Sequence, residues 1–285
     1  MRTIPYYVTR EALLHPEIGK TLLESGSVPD PAFLYAELAR LVYKKFERGP
    51  DARAEIIEAL QRVGYEAVLF SNHGASFVDS QAMVVHHAGN REAIVVFRGT
   101  EMKLDDLSTD LAAWLEPWVG GGRVHAGFAK AFNVIWPEIR MHLDQLSASR
   151  VTFTGHSLGA ALATLAANLW KDGQLVTFGS PRVGDGAFVA SFGPFEQTRY
   201  VDCCDLVCSI PYEWLEYRHL SLPRYIDREG VVHTRADEAY MELDRNAARS
   251  EYVLHYPFNA ENVPFRELAD HAPLNYVAAL RAAAE

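Results

Sequence analysis

The spacing of apolar residues along the chain changes character from one segment to the next. Residues 1–30 hold no sustained pattern, and Pro5, Pro16, Pro29 and then Pro31 interrupt any long element, so an irregular N-terminal extension is expected. From Phe33 to Phe46, the residues Leu34, Leu38, Leu41, Val42 and Phe46 recur near the helical period and predict an amphipathic helix. Ala54–Val63 predicts a second. Then the texture turns β-rich. Ala82–His87 and Ala93–Phe97 flank the turn-prone stretch Ala88-Gly89-Asn90, which predicts a hairpin.

Beyond it, strand and helix signals alternate. Phe128–Leu146 has a helical pattern in which Pro137 forces a kink or a restart. Val151–Thr154 is an expected strand, Leu158–Lys171 a helix, Leu175–Phe178 a strand and Arg199–Cys203 another. Leu222–Ile226 and Val231–Thr234 predict a peripheral hairpin across Asp227–Gly230, and Leu274–Ala284 a closing helix. Such alternation specifies an α/β fold, with a largely parallel central sheet, helices on both faces and a helical N-terminal preface. With no internal repeat and no low-complexity linker, residues 1–285 are expected to form a single domain.

Composition narrows the function classes. An apolar fraction of 49% with 22% charged residues is that of an ordinary globular chain and argues against disorder. There are 27 Lys and Arg against 37 Asp and Glu, a net charge of −10, and no basic run to grip nucleic acid. The N-terminus lacks the apolar stretch of a secretory signal, and no apolar run is long enough for a membrane crossing. A cytoplasmic location is the expectation, with signal-independent secretion open. Cys203, Cys204 and Cys208 have no Cys or His set at ligand spacing beside them, so they are read as small residues packing a buried strand.

Candidate chemistry concentrates at Gly155-His156-Ser157-Leu158-Gly159. This G-x-S-x-G follows a β run and opens an Ala-rich helix, the context in which the motif lifts a serine hydroxyl above a sheet on a sharp turn. Side chains in place of the glycines would collide there. A hydroxyl attacks only when a histidine takes its proton and a carboxylate orients that histidine, in the chain order Ser, Asp/Glu, His. Asp205 stands at the exit of the Arg199–Cys203 strand, while its competitor Asp202 falls inside it. Of the downstream histidines His219, His233, His255 and His271, the last sits on a loop before the closing helix, where it can reach the sheet's carboxyl edge.

These residues resemble the class 3 lipases, the fungal-lipase-like branch of the α/β-hydrolases. The resemblance spans roughly Phe33 to Leu280 in ordered blocks: Ile94-Val95-Val96-Phe97-Arg98-Gly99-Thr100, Val124-His125-Ala126-Gly127-Phe128, Thr154–Ala160 and Thr177–Asp185. Arg199–Pro211 and Asp270-His271 with Tyr276 complete the set, and Tyr217-Arg218-His219 resembles a segment that is structural in the family. The resemblance implies an α/β-hydrolase fold and a serine carboxylic-ester hydrolase, of lipase type, with Ser157, Asp205 and His271 as its triad. It places the oxyanion hole at Thr100 and Leu158, with Asp110 supporting Thr100. No metal or organic cofactor is implied.

Residues 101–119 stand where the lid would be. Met102, Leu104, Leu107, Trp114 and Trp118 are its candidate lid and acyl-pocket residues, although a packed helix face accounts for the tryptophans about as well. Four of the ten residues Glu101–Asp110 are acidic, and Leu107 stands where fungal members often carry tryptophan. A lipid ester is the expected substrate, with at most transient contact at a lipid interface. A phospholipase A1 or feruloyl-type esterase is the alternative on the same scaffold, and a non-catalytic binding protein on a hydrolase fold is the remote one.

Overall fold

The computed structural model describes residues 4–26, 29–73, 79–87, 89–99, 114–146, 148–256 and 258–285. Thr100, Met102, Leu104, Leu107 and Asp110 lie outside them. After a short helix α1 (Arg10–Leu14), Asp30 caps α2 (Pro31–Leu41) through the amides of Ala32 and Phe33, and α3 (Pro50–Gln61) follows. Proline at the start of α2 and α3 fixes φ where no backbone donor is needed.

The main sheet has eight strands among the described residues. β1 (Glu66–His73) and β2 (Asp79–His87) enter antiparallel and deliver the chain to β3 (Glu92–Phe97). From β3 the sheet runs parallel through β6 (Arg150–His156), β7 (Gln174–Phe178), β9 (Glu196–Asp202) and β11 (Pro223–Ile226). β12 (Val232–His233) closes the far edge as the antiparallel arm of the expected hairpin. The α/β class with a largely parallel central sheet, expected from the alternation, is the one observed.

Both faces of the sheet are buried, which is why β3 reads as a near-continuous apolar run. Ile94 and Val96 face α2 and α9 (Pro273–Ala284) in one core, with Val176, Phe178 and Val277. Ala93, Val95 and Phe97 face α4 (Ala126–Gln145) and α5 (Leu158–Trp170) in the other, with Phe132 and Phe153. Each large side chain withdrawn in this way contributes about 1.5–3 kcal/mol. Pro137 neither ends nor restarts α4, which continues through it as one helix.

Several expectations are corrected. A second, antiparallel sheet in the order β10-β8-β5-β4 joins β4 (Leu115–Pro117), β5 (Arg123–His125), β8 (Gly184–Asp185) and β10 (Tyr217–Arg218). Gly184 and Asp185 form one of its strands, and Asp185 also caps α6 (Gly186–Ala190) and binds Arg123. Trp118 follows a strand rather than lying on a helix face. It is buried against Phe132 with its indole N–H on Asn168, so it packs the core instead of lining an open pocket. Trp114 is 81% exposed. The cysteines are buried, but Cys203 and Cys204 follow β9 and Cys208 lies in a 3₁₀ turn, so none sits within the strand. Two helices, α7 (Glu238–His255) and α8 (Arg266–Ala269), precede α9 and were not foreseen.

Candidate active site

The serine turn is built by close approach. A Cβ on Gly155 would stand 2.5 Å from the Gly159 backbone, and one on Gly159 would stand 2.2 Å from the Phe97 carbonyl oxygen. The two glycines let α5 start directly over the ends of β3 and β6. Ser157 lies between them with φ 59° and ψ −129°, a conformation that costs a non-glycine residue about 1–3 kcal/mol. A serine ahead of a helix usually spends its hydroxyl on capping; here that bond is not made. The Ser157 amide donates to the Phe178 carbonyl, tying the turn to the end of β7.

His271 arrives from the turn between α8 and α9. Its Nδ1 lies 2.9 Å from both Asp205 oxygens, with both side chains withdrawn from solvent. An ionised carboxylate only accepts, so Nδ1 carries the proton and Nε2 is left as an acceptor. Nε2 is buried and makes no hydrogen bond among the described residues, Ser157 Oγ included. Gly179 follows β7 with φ 57°, and a Cβ there would meet Asp205 Oδ2 at 2.8 Å and the His271 ring at 3.1 Å. The ring thus packs over the exit of the strand that anchors Ser157.

Asp205 is held on three sides. Beside the His271 contacts, Tyr276 Oη donates to Oδ2 at 2.6 Å and the Val207 amide donates to Oδ1 at 2.9 Å. Burial would raise its carboxyl, but the His271 imidazole and the bonds from His271 and Tyr276 leave it below the ordinary carboxylate range. Asp202, the competitor, is buried at the end of β9, and its amide donates to Tyr276 Oη. Leu158 opens α5, and its amide has no acceptor among the described residues, at the positive end of the helix.

The other histidines are committed elsewhere. His219 bonds the Cys208 carbonyl at 2.8 Å, and burial with Arg199 and Arg182 nearby lowers its pKa well below the ordinary value. His233 pairs with Asp227 at the sheet edge, His255 is exposed at the end of α7, and His125 caps α4 while stacking on Phe128. Sequence reasoning assigned no role to Tyr276 or Asp270, although both stand in the terminal block. Asp270 accepts from Tyr6 Oη, the Cys204 amide and Arg266 Nε, which anchors the turn that presents His271. Cys203, Cys204 and Asp270 place ligand atoms within 4.8 Å of one another. Both Asp270 oxygens are already taken, one by a guanidinium, so the group suits a cation poorly.

Residues 94–214 match the family described as lipase (class 3). A secreted mono- and diacylglycerol lipase of Malassezia restricta is 37% identical over 146 residues, covering 45% of this chain and 48% of that protein. A lipase of Rhizopus niveus is 30% identical over 212 residues, covering 68% and 50%. The chain spans about half the length of these curated relatives. Among solved structures, Rhizomucor miehei lipase superposes with a TM-score of 0.56 at 24% identity, over 68% of this chain and 65% of that one. The Lip2 lipase of Yarrowia lipolytica gives 0.57 at 24%, over 72% and 82%. These superpositions show the shared fold.

Proposed function

We propose that the chain is a class 3 lipase, the family whose model residues 94–214 match, and that it hydrolyses the carboxylic esters of lipids through an acyl-enzyme on Ser157. His271 Nε2 takes the Ser157 proton as Oγ attacks the ester carbonyl, and Asp205 keeps the ring in the required tautomer and stabilises the imidazolium that forms. The Leu158 amide receives the developing oxyanion at the helix N-terminus, and Thr100 supplies the second donor. The alcohol leaves with the proton from His271. Water, deprotonated by the same ring, then releases the acid.

One observation carries this reading: the buried His271 ring has Nδ1 on a carboxylate and, among the described residues, no partner at Nε2, and it stands against the residue that precedes Ser157. The relatives named as lipases and as mono- and diacylglycerol lipases support acylglycerols as the substrate class; phospholipase A1 and feruloyl-type activity draw no support from them. Among the described residues no helix is long and apolar enough to cross a membrane.

The test is fatty-acid release from tributyrin by the wild-type protein and Ser157→Ala. The substitution is expected to remove on the order of 10³-fold or more of the rate. Equal near-zero rates in both would favour a binding protein on a hydrolase fold.

A further inference from the structure

His156, the residue before the nucleophile, makes two buried hydrogen bonds that the mechanism above does not use. Its Nε2 lies 2.9 Å from the His271 carbonyl oxygen, and its Nδ1 lies 3.1 Å from Tyr43 Oη. The two imidazole rings stand 4.5 Å apart between centroids. A carbonyl oxygen can only accept, so Nε2 carries the His156 proton. In the neutral ring Nδ1 is then an acceptor, and the Tyr43 hydroxyl must donate to it. The other tautomer would set a nitrogen lone pair against the His271 carbonyl.

We propose that His156 is a positioning residue for the reaction, holding the His271 main chain at a fixed distance from Ser157, and that Tyr43 selects the tautomer in which it does so. The inference rests on the proposed roles of Ser157 and His271. Asp205 fixes the His271 side chain at Nδ1; His156 fixes its backbone, from the position adjoining the nucleophile. The base is therefore held at both ends, and the second tether runs through one hydrogen bond rather than around the sheet.

Tyr43 is itself closely packed. It lies just beyond α2, 3% exposed, and a Cβ on Gly99 would stand only 2.0 Å from its hydroxyl, so the chain two residues past β3 is pressed against it. Burial first, and the neighbouring His271 second, push the His156 pKa well below the ordinary histidine value. His156 thus stays neutral while His271 cycles through its imidazolium, and it adds no opposing charge.

The experiment compares wild type, Tyr43→Phe, His156→Leu and His156→Gln on a dissolved p-nitrophenyl butyrate, with melting temperatures and imidazole ¹⁵N spectra. His156→Leu is expected to lose on the order of 100-fold in kcat with KM within about two-fold, as a displaced base should. His156→Gln, whose amide N–H can replace Nε2–H, recovers at least about tenfold of that loss. Tyr43→Phe removes one oxygen and loses about fivefold in kcat. The wild-type spectrum shows His156 protonated at Nε2. A protonated Nδ1, an unchanged kcat in Tyr43→Phe, or a glutamine variant no better than leucine while both melt like wild type overturns the proposal. Should His156→Leu fail to fold, the Tyr43→Phe and glutamine arms still decide it. A wild type that neither hydrolyses the ester nor is labelled by a fluorophosphonate instead fails the functional reading beneath it.

Discussion

The Tyr276 hydroxyl lies 2.6 Å from Asp205 Oδ2 and also receives the Asp202 amide at 3.0 Å. One phenol therefore ties the Asp205 carboxylate to the last residue of β9, and it does so from α9, the helix that follows His271. A hydrogen bond to a charged group contributes about 1.5–3 kcal/mol. Tyr276→Phe keeps the ring that packs on Phe178 and loses only that oxygen. It should lower unfolding stability by about that amount and reduce kcat, as read by urea titration and steady-state kinetics. Unchanged values in both would mean that Asp205 needs no such support.

The lowered pKa of Asp205 has a sign that kinetics can check. A depressed carboxyl stays ionised above its folded value, so Asp205 keeps its charge throughout the range in which a histidine base loses function by taking a proton. Log kcat/KM should accordingly fall on the acid side with unit slope. A limb approaching a slope of two would show the carboxylate titrating alongside the base.

Two histidines separate activity from folding. His271→Ala should lose on the order of 10³-fold or more in kcat and melt within a few degrees of wild type. His219 holds the Cys208 carbonyl and touches none of the three proposed catalytic groups, so His219→Ala should lower yield or melting temperature and leave the remaining folded enzyme active. Reversed effects would move the base to His219.

Much of this was legible in the chain because its causes are local. Glycines two before and two after Ser157 mark a turn that admits no Cβ, and the apolar run Ile94–Phe97 marks a strand buried on both faces. The second sheet was not legible. β8 and β10 are two residues each, and β5 touches β8 through one pair, Val124 with Gly184, which leaves no periodic run. α7 escaped notice because its buried face, Met241, Asp244, Ala248 and Tyr252, mixes apolar with polar and small residues. Tyr43 gave no signal either: it reads as one more aromatic at the end of an amphipathic helix, and its partner is 113 residues away.

The Arg266–Asp270 pair supports the turn that carries His271, with the carboxylate fully withdrawn from water. Arg266→Met would strand that charge, and losing one partner of a buried pair typically costs about 3–5 kcal/mol. Urea unfolding should show a loss of that order, with lower activity at temperatures where the wild type is stable. A loss below about 1 kcal/mol would indicate that Tyr6 and the Cys204 amide hold Asp270 without the guanidinium.

Acidic residues in the segment 101–110 argue against strong interfacial activation, since moving carboxylates toward an apolar phase carries a desolvation cost. The rate against tributyrin should rise smoothly through the solubility limit. A many-fold jump there would show an apolar lid reaching beyond this segment.

The central claim, that Ser157 is the nucleophile and His271 Nε2 its base, is tested most directly by fluorophosphonate labelling with peptide mapping. The expected result is one modified peptide containing Ser157, no label in Ser157→Ala, and labelling slowed by orders of magnitude in His271→Ala. Label on a different serine, or ester hydrolysis that survives with Ser157 unmodified, would contradict it.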